Sequence, residues 1–276
     1  MAKTVSKNRW VRPLIQTFFF VFIALTAANH SLAEQGNGVD WLSDASLHGM
    51  CPFGGVVSAY RYVNEGMLVQ KVHQSSFVLM FIGFALAIAF GPVFCGWVCP
   101  LGTFEEWVSK LGKKLFGKRH NHFVPARVDK YLRYLRYAVL VGVVYVTART
   151  GQLLFANIDP YFALFNFWTS EVAVGGLIVL GVTMVAALFV ERPFCKYGCP
   201  YGALIGVFNL FRVFKIRRNV ETCIDCKSCD RACPMNIEVS AGRTVRDHQC
   251  ITCMQCTSEA ACPVANTVEL LAKGGN

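Results

Sequence analysis

Three long apolar runs leave this chain few ways to fold in water. Residues 13–33 (PLIQTFFFVFIALTAANHSLA), 75–94 (SSFVLMFIGFALAIAFGPVF) and 172–190 (VAVGGLIVLGVTMVAALFV) each approach the ~20 apolar residues a helix needs to cross the hydrocarbon core of a bilayer. A fourth run, 137–158, is long enough but contains Arg149 followed by Thr150 and Gly151. We read it as a span whose outer end lies at Arg149, extended inward through Leu132, with Arg133 and Arg136 reaching the headgroups. An intramembrane Arg149 facing a quinone pocket is the alternative. The composition agrees with a membrane protein: 54% of residues are apolar and only 16% charged. The formal charge of +10 does not point to nucleic acid, because Lys and Arg gather at the ends of the apolar runs and form no stripe interleaved with aromatics.

The distribution of those cations sets the expected topology. Segments 1–12, 95–136 and everything after residue 191 hold 24 of the 27 Lys and Arg, and the segments between hold three. Cytoplasmic loops collect positive charge, so both termini are expected on the cytoplasmic side of a bacterial inner membrane, with four spans between them. The first run, ending Ser31-Leu32-Ala33 before Glu34, also has the form of a cleavable signal segment. Its length favours retention, and cleavage would leave the sides of all later segments unchanged.

With that topology, twelve of thirteen cysteines fall on the reducing side and only Cys51 lies outside, which argues against a disulfide framework. Eight of them form two runs, CIDCKSCDRACP at 223–234 and CITCMQCTSEAACP at 250–263. Three closely spaced thiolates followed by Cys-Pro, twice, is the pattern of a bacterial two-cluster ferredoxin, in which the fourth cysteine of each run serves the other cubane. One 4Fe-4S cluster would take Cys223, Cys226, Cys229 and Cys262, and the other Cys250, Cys253, Cys256 and Cys233. A pair of zinc ribbons is the competing reading, but zinc needs two CxxC pairs per ion and does not account for the third evenly spaced thiol.

The remaining four cytoplasmic cysteines lie in a duplicated stretch. FCGWVCPLG at 94–102 returns as FCKYGCPYG at 194–202, each time just after an apolar run, so residues 75–110 and 172–207 read as an internal repeat. A pseudo-twofold arrangement would bring Cys95, Cys99, Cys195 and Cys199 together at the membrane face, with Gly102 and Gly202 allowing close approach. These thiols could bind a further iron-sulfur or metal centre, form redox-active or docking pairs, or be buried small residues.

The four runs, the two FCxxxCP stretches and the C-terminal cysteine pair together resemble the NapH/NosR-type membrane polyferredoxins over residues 70–276. The resemblance implies quinol oxidation and delivery of electrons through iron-sulfur centres to a partner redox protein. The stretch 48–55 (HGMCPFGG) is closer to the NosR-type relatives.

The expected architecture is an α-helical four-span bundle carrying a cytoplasmic α+β two-cluster ferredoxin domain: a basic N-terminus (1–12), a membrane domain (13–216) and the ferredoxin-like domain (217–276). Segment 201–216 reads as a helix lying on the inner membrane surface, 161–168 as an aromatic belt, and the residues after 265 as a short helix and tail. For quinol chemistry Glu105, Glu106, Glu191 and Arg192 sit at the correct depth, with ordinary interfacial anchoring as their competing role. His73 could accept a proton on the outer side, and Cys51 could ligate a cofactor or link to a partner. The expected function is a membrane electron-transfer subunit using quinol or a cytoplasmic donor and a ferredoxin-type, cytochrome or flavoprotein partner. The rival is a maturation factor that reduces a metal or thiol during biogenesis of a respiratory metalloenzyme.

Overall fold

The computed structural model describes residues 10–34, 74–150, 154–169 and 172–272. His73, Cys51 and the stretch 48–55 lie outside them. The elements run α1 (Val11–Glu34), α2 (Gln74–Phe90), a π-helical turn (Phe94–Val98), α3 (Pro100–Phe116), α4 (Ala126–Leu132), α5 (Leu135–Thr150), α6 (Pro160–Asn166), α7 (Val174–Ala187), α8 (Pro193–Tyr197), α9 (Pro200–Gly206), β1 (Phe214–Arg218), α10 (Ser228–Arg231) and β2 (Val268–Ala272).

Among the described residues one helix, over Val11–Ala33, is long and apolar enough to cross a membrane. Helices α2, α5 and α7 have 17, 16 and 14 residues, each shorter than a full span at about 1.5 Å per residue. Their outward faces are nonetheless apolar: Phe81 and Ile82 of α2, Val141 and Tyr145 of α5, and Ile178 and Val182 of α7 are all exposed. Helix α3 packs between α1 and α7, and α9 lies against α5. Arg149 is exposed at the end of α5, its guanidinium 5.5 Å from the ring centre of Tyr145. In the aromatic stretch, Phe165 is buried beside Ile23 and Ala27, while Phe167 and Trp168 are exposed.

The C-terminal part differs from expectation in two places. Helix α9 and the 3-10 turn after it stop at Leu210, and from Phe214 the chain is a strand. That strand pairs antiparallel with β2, Ile216 opposite Leu270, so the residues after 265 close a two-stranded sheet instead of forming a helix. Burial of Ile216 and Val268 in the core around the C-terminal cysteines holds the pair in place, and Arg212 turns inward where a surface helix would have kept it at the lipid headgroups.

Arg133 and Arg136 are the third difference. Arg136 is buried and donates to the carbonyl of His248 (2.9 Å) and to Gln249 Oε1 (3.3 Å). Arg133 donates to the carbonyl of Asn236 at 2.9 Å and pairs with Asp129. These cations tie the helices to the cysteine-rich segment and do not reach for lipid.

Candidate functional site

The two FCxxxCP stretches fold alike. In each, the amide of the second cysteine bonds back to the phenylalanine carbonyl, Cys99 to Phe94 at 2.9 Å and Cys199 to Phe194 at 2.8 Å. In each, proline then opens a helix at its first position, where its missing N–H costs nothing. The second cysteine is therefore the N-cap residue of α3 or α9, and Cys199 Sγ accepts the amide of Gly202 at 3.3 Å. A helix N-terminus favours a thiolate. That is the physical use of writing Cys directly before Pro.

Cys95, Cys195 and Cys199 line one cavity, together with Pro92, Arg136, Gln249, Cys250 and Ile251. Burial, and then the neighbouring Cys99, push the Cys95 thiol up to about 12. Burial followed by Cys95 and Cys99 acts in the same direction on Cys199. Cys99, which does not line the cavity, is near enough to act on Cys95, Cys195 and Cys199. Among the described residues no three His, Cys, Asp or Glu side chains close on a single point as ligands of one ion would; the thiols stand around a cavity.

Three of the four acid-base candidates, Glu105, Glu106 and Arg192, bind the two repeats together. Glu105 Oε1 accepts the amide of Phe194 at 2.8 Å and so caps α8, the helix that carries Cys195. Burial raises the Glu105 carboxyl, against the opposing effects of Cys195, the Phe194 amide and Arg192. Glu106 accepts from Arg192 Nε (2.8 Å), Gln16 Nε2 (3.1 Å) and Arg12. Burial pushes Glu106 up, but Arg192 and Arg12 outweigh it and hold it low. Arg192 is fully buried with φ 54° and also bonds the carbonyl of Cys95. A Cβ on Gly102 would meet Arg192 Nη1 at 2.7 Å, whereas one on Gly202 would meet nothing closer than 3.6 Å. Of the two glycines, the first makes room for a guanidinium. Glu191 is half-buried, and its amide donates to Asn121 Oδ1 at 3.0 Å.

In the C-terminal segment Cys233, Cys250, Cys253 and Cys256 line a second cavity whose other walls are Ile, Val and Met side chains. That donor set, four thiols in apolar surroundings with no carboxylate, suits a cubane. The loop 223–229 carries the other run, with Cys229 buried, Cys223 half-buried and Cys226 exposed. The two loops share one backbone shape: Asp225 and Thr252, then Lys227 and Met254, are left-handed at matching positions. Asn219 and Thr222 bond Thr267, which draws the start of the first loop toward the segment after Cys262.

What sequence reasoning missed is the seam between the two cavities. Segment 248–253 lies on the FCxxxCP repeats: Trp97 Nε1 donates to the carbonyl of Thr252 (3.0 Å), Gln249 Nε2 to that of Lys196 (3.2 Å), and Asn209 Nδ2 to that of Cys250 (2.7 Å). A Cβ on Gly96 would meet the Ile251 carbonyl at 2.4 Å. Cys250 lines both cavities.

A family model described as a 4Fe-4S binding domain matches residues 72–119 and again 172–219, the two halves of the repeat. A 4Fe-4S dicluster domain matches 215–270. Among related proteins, YccM of Escherichia coli, named as a candidate electron transport protein, is 33% identical over 228 residues. That match covers 80% of this chain and 62% of that protein. An uncharacterised protein of Methanocaldococcus jannaschii is 30% identical over 255 residues, 92% of this chain and 93% of its own. The ferredoxin-type protein NapH of Haemophilus influenzae is 29% identical over 197 residues, 66% of each chain, and the regulatory protein NosR of Pseudomonas aeruginosa is 27% identical over 173, 23% of its length. No solved structure matches. The chain belongs to the NapH/NosR-type polyferredoxins, ferredoxin-type iron-sulfur proteins of electron transport.

Proposed function

We propose that this protein is a four-span membrane subunit that moves electrons between a quinol site at the bilayer and a partner redox protein, through three iron-sulfur centres. Two are the C-terminal cubanes, ligated by Cys223, Cys226, Cys229 and Cys262 and by Cys250, Cys253, Cys256 and Cys233. The third is held by Cys95, Cys99, Cys195 and Cys199, in the repeat that matches a 4Fe-4S binding domain. A cubane supplies one-electron transfer without moving protons or atoms. The protein's part is to keep the sites dry, fixed and close.

The observation that carries this reading is the shared wall. Cys250 faces both cavities, so a centre in the repeat and a centre in the second cysteine run have one residue between them. The bilayer placement is supported by the apolar outward faces of α2, α5 and α7 and by the charge asymmetry of the loops. On that topology the four acid-base candidates lie at the inner membrane face. Glu105, Glu106 and Arg192 are consumed in joining the repeats, which makes them structural supports of the third centre; Glu191, half-buried beside them, is the residue free to take a proton from quinol.

The donor is tested by mixing the purified oxidised protein anaerobically with a quinol analogue and following the bleaching of iron-sulfur absorption. Bleaching supports quinol as donor. Reduction by a flavodoxin or ferredoxin alone, with none by the quinol, overturns it.

A further inference from the structure

Arg212 follows the turn after α9, and its side chain is completely buried. Its guanidinium donates to Thr252 Oγ1 (2.9 Å) and to the carbonyl of Val245 (3.0 Å), and reaches Cys250 Sγ at 3.6 Å. Among the described residues no carboxylate pairs with it, and its Nε has no acceptor. A buried cation without an anion is costly, so Arg212 belongs beside a negative charge that the protein's own side chains do not provide.

The cysteine run at 223–229 is treated differently. Arg218 Nη1 lies 3.3 Å from Cys223 Sγ, but the same nitrogen is 2.9 Å from the exposed carboxylate of Asp225. There the cation is neutralised by a carboxylate that is open to water. Of the other buried arginines near thiols, Arg192 has Glu106, and Arg136 lines the cavity of the repeat, away from the Cys253 and Cys256 thiols.

We propose that Arg212 is the counter-charge of the centre held by Cys250, Cys253, Cys256 and Cys233, and that it makes this inner centre easier to reduce than the outer one at Cys223, Cys226, Cys229 and Cys262. The proposal rests on the ligand sets given above. Four thiolates make a cubane anionic, and each electron taken up adds one negative charge. A guanidinium against a ligand sulfur, away from water, favours the more negative form, while Arg218, already paired with Asp225, does so less. Electrons entering from either end therefore settle at the inner site, against the FCxxxCP repeat.

Arg212 also holds Thr252 in its left-handed conformation, so the test must separate charge from scaffolding. The full-length protein in detergent is titrated anaerobically with dithionite and followed by EPR. The signals are assigned by Cys226→Ala and Cys253→Ala. In the wild type the couple lost in Cys253→Ala is expected to be the more positive of the two. In Arg212→Met that couple alone moves, its reduced-to-oxidised ratio at fixed potential falling at least tenfold, about 59 mV for one electron. Arg212→Lys keeps most of the original potential. The proposal is overturned if the Cys253-dependent couple is coincident with or below the other, if Arg212→Met with full iron leaves it in place, or if the Met and Lys variants shift alike. Should Arg212→Met lose iron, the order of the wild-type couples and the Lys variant decide. Wild-type protein with fewer than about eight irons per chain defeats the ligand sets themselves, a different failure.

Discussion

The indole of Trp97, in the first FCxxxCP stretch, donates to the carbonyl of Thr252, in the second cysteine run, at 3.0 Å. The residues are 155 positions apart, and each sits between two cysteines of its own motif. One hydrogen bond thus joins the repeat to the ferredoxin-type segment where electrons would cross.

Close approach at that seam depends on Gly96. Gly96→Val puts methyl groups where the Ile251 carbonyl rests, and backbone cannot yield as a flexible side chain would. Overpacking of this kind costs ~1–3 kcal/mol. Thermal unfolding should begin at lower temperature, and limited proteolysis should release a C-terminal fragment that the wild type retains.

Glu106 holds Arg192 and Arg12 together. Removing one member of a buried pair leaves the other charge uncompensated, at about 3–5 kcal/mol. Glu106→Leu should therefore be strongly destabilised, and the Glu106→Leu/Arg192→Met double variant should recover part of the loss. If Glu106 instead served only proton transfer, the single variant would unfold like the wild type while quinol-driven reduction fell.

Asp159 is the N-cap of α6, its Oδ1 accepting the amide of Tyr161 at 3.0 Å. Burial, partly opposed by the amides of Tyr161 and Phe162, pushes its carboxyl up from 3.8 to about 6. The folded state then holds the proton more tightly than the unfolded chain, so stability falls as pH rises between those values and is flat above them. Unfolding compared at pH 5.0, 6.0 and 7.5 (roughly spanning the upper part of that window) should show the loss in the wild type and not in Asp159→Asn.

The two C-terminal centres should differ in lability. Cys226 is exposed, while Cys250, Cys253 and Cys256 are buried. An iron chelator should strip about four irons quickly, from the outer ligand set, and the next four far more slowly. EPR of the partly stripped sample should retain the signal that depends on Cys253.

Much of this arrangement was legible from residue spacing. Cys233 lies on one cavity wall with Cys250, Cys253 and Cys256, the three near thiols brought there by their short spacing. The approach of Cys95 to Cys195 and Cys199 was legible from the internal repeat, which calls for a pseudo-twofold pairing of its halves. The docking contacts were not. Arg133, Arg136, Asn209 and Gln249 mostly grasp backbone carbonyls, and a carbonyl carries no residue identity by which a partner could be found. Arg136 beside an apolar run reads as a headgroup anchor until the segment at 248–249 is folded onto it. The strands were missed because each is only five residues long: Phe214–Arg218 (FKIRR) continues an apolar segment and reads as its basic end, and Val268–Ala272 (VELLA), apolar but for Glu269, does not alternate.

The central claim is that the FCxxxCP repeat holds a centre of its own beside the second cysteine run. Its most direct test is an anaerobic count of iron and acid-labile sulfide on the purified protein, with zinc measured alongside, before and after the double replacement Cys95→Ser/Cys195→Ser. About twelve irons per chain, falling to about eight, is the predicted result for three cubanes reduced to two. About eight irons in both proteins would contradict the claim and return those four cysteines to thiol or docking chemistry.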